Sequence, residues 1–205
     1  MDSALGLREQ KKIATKAALH EAAIRLAVRD GYDAVTVEAI ADAAGVSRRT
    51  FSNYFGSKEE AVLYGDSRRL RALLDAVAAR PAEDSAWTAL RAATDSVLRE
   101  LQRRRRERRD DDGPDWLTRA RLIRSHPALL SRQVATYASF ERDLADEIVR
   151  RMPPESGSAM RARIIAACFL AALRVGTQTW LDHSDDASLP EITDQALAEA
   201  GRSFV

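Results

Sequence analysis

The placing of helix breakers constrains this chain more than any other feature. Its prolines, Pro81, Pro114, Pro127, Pro153, Pro154 and Pro190, stand at the edges of segments with helical periodicity. Strand signals, such as β-branched alternation or Asn-Gly turns, are almost absent. The chain therefore reads as all-α. From Lys11 to Arg29 the apolar positions Leu19, Ala22, Ala23 and Leu26 recur at helical spacing, and Gly31 provides a stop. Thr36 then precedes a helix of barely two turns ended by Gly45, and Ser47 precedes a second short one, "RRTFSNYF". Ser57 with Glu60 spells a capping box before a longer helix. Longer helices are predicted over residues 61–79, 85–109, 116–125, 127–152, 159–183 and 189–204, the last opened by Ser188, Pro190 and Glu191. The expected architecture is an N-terminal three-helix helix-turn-helix domain over residues 1–60 and a larger helical domain over residues 61–205.

Composition narrows the function classes. A chain of 205 residues can bury a real core, and its net charge of only +1 means that any nucleic-acid binding must come from local charge placement. The lone Cys168 excludes an internal disulfide framework; it fits a reducing cytoplasm and reads as a small core residue. The run "IIAACFLAAL" stops at Arg174, short of the roughly 18 residues expected of a membrane span, and the N-terminus lacks a secretory apolar region. A cytoplasmic protein without membrane attachment is expected. His20, His126 and His183 are scattered with no metal-ligand spacing, and no nucleophile elbow, P-loop or dinucleotide fingerprint is found. No catalytic residues, metal or cofactor are expected, so the chain is not read as an enzyme.

Val37 to Phe55 has the layout of a helix-turn-helix, with Gly45 permitting the positive φ that the turn tends to need. Ile40, Ala41, Ala44, Val46 and Phe51 supply the apolar contacts that set two short helices at a steep angle. Arg48, Arg49, Ser52 and Asn53 point away from that core side. Such a helix suits the major groove, where Arg pairs bidentately with guanine and Asn with adenine. Thr36, Ser47, Tyr54 and Lys58 are suited to phosphate oxygens. Upstream, Arg8, Lys11, Lys12 and Lys16 either approach the DNA backbone or minor groove or form a plain solvated N-terminus.

The stretch "GYDAVTVEAIADAAGVSRRTFSNYFGSKEEAVL" resembles the DNA-binding segment of tetracycline-repressor (TetR) family regulators, with turn glycine, cap, reading helix, aromatic pair and "SKE" in order and without gaps. The likeness runs from about Lys11 to Leu63, under a third of the chain. It implies a homodimeric repressor of double-stranded operator DNA, with Arg48, Arg49, Ser52 and Asn53 as base readers and Thr36, Ser47, Tyr54 and Lys58 on phosphates. It also implies that the larger domain binds a ligand and dimerises through its last two helices. Two positions depart from the family pattern: Ala27 stands where an aromatic is usual, and Ser52 where many members carry tyrosine. The second departure weakens any transfer of operator sequence.

In the larger domain "RIIAACFLAALRVG" is apolar nearly all round, as expected of a helix buried on two sides. "LTRARLIRSHPALLSRQ" and "AALRVGTQTWLD" are similar to a subgroup recognising acyl-CoA-like ligands, including the mycofactocin-associated type. That likeness implies a small-molecule effector of the acyl-CoA class, in a pocket drawn from Trp116, Arg121, Arg124, Arg174 and Trp180. Arg119 and Arg132 are further candidates for a phosphorylated head group, unless these arginines pair with nearby acids. Arg174 interrupts an apolar helix; it is either buried with Asp143 or Asp146 or reaches a ligand anion. "RRRRERRDDD" reads as charge compensation in a solvated corner. Two other classes stay open on the residues alone: a helical acyl-ester-binding or processing protein on an inherited scaffold, and a non-specific DNA-packaging protein. The missing catalytic constellation speaks against the first and the near-neutral charge against the second.

Overall fold

The computed structural model describes residues 2–107, 116–153, 157–182 and 188–203, and their side chains except those of residues 2–5, 105–107, 116–117 and 203. Among the described residues there is no strand. The helices are α1 (Asp2–Asp30), α2 (Val37–Ala43), α3 (Arg48–Tyr54), α4 (Lys58–Ala78), α5 (Ala86–Glu107), α6 (Trp116–Ser125), α7 (Pro127–Arg151), α8 (Ser158–Asp182) and α9 (Leu189–Ala200), with 3-10 turns at Tyr32–Ala34 and Gly201–Ser203. The all-α reading holds. α1 begins at Asp2 rather than Lys11, because apolar periodicity starts only where the helix meets a core, at Leu19, whereas the exposed turns before it need only helix-tolerant residues. His183 and most of the acidic and basic corner after Glu107 lie outside the described residues.

The chain packs as two units, one of residues 1–67 and 111–135 and the other of residues 68–110 and 136–205. This division is not linear: α6 and the first turns of α7 join the N-terminal helices. In the first unit Leu19, Ala23 and Ile24 of α1, Ile40 and Ala41 of α2, and Phe51 of α3 share one core with Ile123 of α6 and Leu129 of α7. Burying Phe51 alone contributes about 1.5–3 kcal/mol. Polar ties reinforce the same joints. Arg119 of α6 donates to both carboxylate oxygens of Glu21 on α1, at 2.7 and 3.3 Å, and Gln133 of α7 donates to Asp66 of α4 at 2.7 Å. His126 lays its ring against Tyr32, centroids 4.9 Å apart. Ala27 is buried as a methyl-sized packing residue.

The second unit is built around Trp87 and Leu90 of α5, Phe140, Leu144 and Ile148 of α7, Ile165 and Phe169 of α8, and Leu197 of α9. Trp87 donates its indole N–H to the Leu197 carbonyl at 3.0 Å, and its ring meets Phe169 edge-on. Arg151, at the end of α7, donates to the carbonyls of Arg80 and Pro81, satisfying backbone groups just past the end of α4. Ser188 donates its backbone N–H to Glu191 at 3.0 Å, as its capping box predicts.

Three expectations are corrected here. Cys168 is only half-buried, beside the core rather than inside it. Arg174 is exposed, as are Asp143 and Asp146, so it is not buried with a carboxylate. α8 continues past Arg174 to Asp182, and by length and composition alone it could cross a membrane, contrary to the reading that no segment could. Its buried side, from Ala162 through Phe169 to Gly176, is part of the second unit's core.

Candidate nucleic-acid interface

Two short helices need outside help to exist, since isolated helices of two turns are unstable in water. Caps supply part of it. Thr36 Oγ1 accepts from the Ala39 N–H and Ser47 Oγ from the Thr50 N–H, each at 3.1 Å. The turn between α2 and α3 closes through Gly45 N–H to Asp42 O and Val46 N–H to Ala41 O, both 3.0 Å. Gly45 takes φ +69°, the left-handed region where any side chain is strained. Phe51 and Phe55, centroids 5.8 Å apart, then pin α3 to the core.

With Phe51 buried, Arg48, Arg49, Ser52 and Asn53 are all exposed on α3, Arg49 and Asn53 opposite Phe51 and Arg48 on the flank beside Glu38 of α2. The structure thus presents all four expected base readers on one surface. It adds one contact that the sequence reading missed. Arg48 Nε lies 3.0 Å from Glu38 Oε1 of α2, with 73% and 53% of the two side chains exposed. A pair so exposed is worth about 0–1 kcal/mol, so it holds Arg48 aside without blocking its use. The ten-residue spacing of Glu38 and Arg48 becomes a signal only once the angle between the two helices is known.

The expected phosphate residues fare differently from one another. Thr36 serves its cap as an acceptor, which leaves its hydroxyl proton to donate. Ser47 caps α3 and also sits 2.9 Å from Thr50 Oγ1, and Tyr54 is half-buried. Lys58 is turned inward. Its ammonium donates to the carbonyls of Tyr32 at 3.1 Å and Val35 at 3.0 Å, and lies 4.3 Å from the Tyr32 ring centre. That lysine first ties the start of α4 to the 3-10 turn. The Tyr32 hydroxyl in turn donates to Glu59, and burial together with that carboxylate raises the phenol's pKa. The capping box at Ser57 is displaced: the Glu60 N–H donates to Ser57 Oγ at 3.3 Å, but the Glu60 carboxylate accepts from Gly56 rather than Ser57.

Behind the head, His20 is buried on α1 with Nδ1 2.8 Å from the Ala61 carbonyl of α4. A carbonyl can only accept, so Nδ1 carries the proton. Desolvation lowers the pKa of His20, opposed by the Ala61 carbonyl and the charge of Glu21.

The ligand residues divide between the units. Arg121 and Arg124 are exposed on α6, which also carries Trp116; the side chain of Trp116 lies outside the described set. Arg174 and the half-buried Trp180 belong to α8. Arg119 is committed to Glu21, and Arg132 is exposed on α7. A groove of about 480 Å³ in the second unit is lined by other residues, among them Trp87, Arg91, Arg99 and Glu191, between α5 and α9.

Known proteins account for both parts of the chain. Residues 19–63 match the family model of bacterial regulatory proteins of the tetR family, and residues 84–204 match the MftR C-terminal domain. The chain belongs to the TetR family. It is 34% identical over 180 residues to the HTH-type transcriptional regulator TcmR of Streptomyces glaucescens, covering 88% of this chain and 79% of that protein. Its fold is shared with SmeT in a triclosan complex (TM-score 0.62, 19% identity, 94% and 92% of the two chains). It is also shared with Thermus thermophilus FadR, a TetR-family repressor in complex with lauroyl-CoA (TM-score 0.56, 19% identity, 93% and 95%). As a TetR-family protein the chain is a DNA-binding transcriptional regulator with a ligand-binding domain, and not an enzyme. Members of this family bind DNA and small-molecule effectors and are dimers.

Proposed function

We propose that this TetR-family regulator is a repressor that holds a pseudo-palindromic operator as a homodimer and lets go when a small apolar or acyl-CoA-like effector binds. The observation that carries the DNA half is the exposed surface of α3, where Arg48, Arg49, Ser52 and Asn53 stand in solvent while Phe51 is buried. In this reading residues 1–60 are the reading head and residues 61–205 the ligand and dimer domain, with α8 and α9 pairing across the dimer. Thr36, Ser47 and Tyr54 meet phosphates, joined by Lys58 through the N–H that its carbonyl bonds leave over. Two heads about one helical turn (~34 Å) or a multiple apart multiply modest contacts. The effector half draws support from lauroyl-CoA in the FadR complex. An effector acts only through its different affinity for the DNA-competent and incompetent states. The protein works in the cytoplasm.

The test is selection of operator sequences from random duplexes by the purified protein at two salt concentrations, with and without lauroyl-CoA. A palindromic motif recovered without the acyl-CoA and lost with it is expected. A motif that survives the acyl-CoA refutes the effector class, and no motif at either salt refutes the repressor.

A further inference from the structure

α1 runs more than four turns before the first residue matched to the family's DNA-binding model, residue 19. Residues 6–14 are exposed throughout, so no core explains this extension. Its charge pattern is one-sided. At about 100° per residue, Arg8, Lys11, Lys12 and Lys16 fall within a sector of about 140°. Leu19, Ala23 and Leu26 lie on the continuation of that sector and are buried in the head, so the basic row follows the side of α1 that turns toward the head. Its inner end is fixed: Lys16 Nζ lies 5.6 Å from the ring centre of Phe55, which ends α3, and 5.5 Å from that of Tyr64 on α4. With a rise of about 1.5 Å per residue, Arg8 stands about 12 Å further out. The one ion pair among these described side chains is Lys12 with Glu9, long at 3.7 Å and solvent-exposed.

We propose that Arg8, Lys11 and Lys12 form a helical arm that binds DNA phosphates flanking the half-site read by α3. A row of cations starting beside the reading helix meets the backbone beyond the bases that α3 reaches, and supplies attraction without sequence information. It also supplies locally the positive field that a net charge of +1 cannot supply globally. The proposal rests on the operator-binding reading above, and its test separates the two.

The experiment compares wild-type protein with R8Q/K11Q/K12Q, leaving Lys16 on its aromatic rings. Binding is measured across salt concentrations on a selected duplex with long flanks and on the same duplex trimmed to its palindrome. On the long duplex the slope of log affinity against log salt is expected to be shallower by about 2–3 in the variant, since each neutralised phosphate accounts for about 0.9. The recovered base preference is unchanged, and on the trimmed duplex the two proteins converge. R8K/K11R/K12R keeps the wild-type slope, which separates charge from helix stability. Equal slopes on the long duplex, with the motif still recovered, overturn the arm. Failure of the wild type to select any motif overturns operator reading itself.

Discussion

At the scale of single residues, the head divides its polar side chains between those that build it and those left outside. Arg49 and Asn53 are left outside, so Arg49→Ala and Asn53→Ala should each cost about 1–3 kcal/mol per lost base contact on the selected operator and little on random duplex. Equal losses on both would show that neither reads bases. Lys58 builds. Removing it takes the ammonium donor from the Val35 carbonyl and one of two donors from the Tyr32 carbonyl, which keeps the Val35 N–H, so Lys58→Ala should lower stability by about 1–3 kcal/mol in urea unfolding. An unchanged midpoint would show that these carbonyl bonds add no stability and leave Lys58 with the phosphate role alone. His20 makes stability depend on pH. Its folded pKa is lowered, chiefly by desolvation, below the ordinary 6.5, so the unfolded chain takes up the proton first. Its contribution is complete above the unfolded pKa and declines as pH falls through and below it, at a slope of up to about 1.4 kcal/mol per pH unit. The groups facing it, Glu21, Asp66 and Arg119, stay in place in His20→Gln, which should flatten the pH dependence of the urea midpoint; a slope that survives the substitution belongs to other groups.

At the scale of elements, close approach sets what each helix end tolerates. Gly201 ends α9 where a Cβ would sit 1.9 Å from Trp87 Nε1, the atom that bonds the Leu197 carbonyl. Gly201→Ala must therefore displace either the indole or the helix end. A loss of about 1–3 kcal/mol, the usual cost of overpacking, is expected in thermal or urea unfolding, with the Trp87 fluorescence altered. A fully stable Gly201→Ala protein would mean that α9 docks less tightly than this geometry. The capped starts of α2 and α3 were plain in the sequence, because a Thr or Ser followed by a short helical run is a local signal. The tie of α6 to α1 was not. Arg119 and Glu21 are 98 positions apart, and each reads alone as a solvated charge.

At the scale of the whole molecule, α8 keeps an apolar face outside its own core: Met160, Ile164 and Val175 are exposed, with Ala167 and Ala171 on the same side. In a family of dimers that face fits a second copy. Ile164→Glu with Val175→Glu should give a folded monomer in sedimentation equilibrium and, by loss of the paired heads, weaken operator binding by at least tenfold. A double variant that still sediments as a dimer would place the interface elsewhere.

By itself the sequence determined the elements, apart from the start of α1, and which side chains of α3 stay exposed. Helix starts, stops and the face of α3 depend on residues within four or so positions of one another, and hydrogen bonding and side-chain periodicity act over that range. Only the tertiary structure decided how those elements are spent. It turned Lys58 inward, set Glu38 beside Arg48, drew α6 into the first unit, and left Arg174 in solvent. Each of these depends on which distant segment shares the same core, and burial, which has no local sequence signature for a charged side chain, sets the outcome.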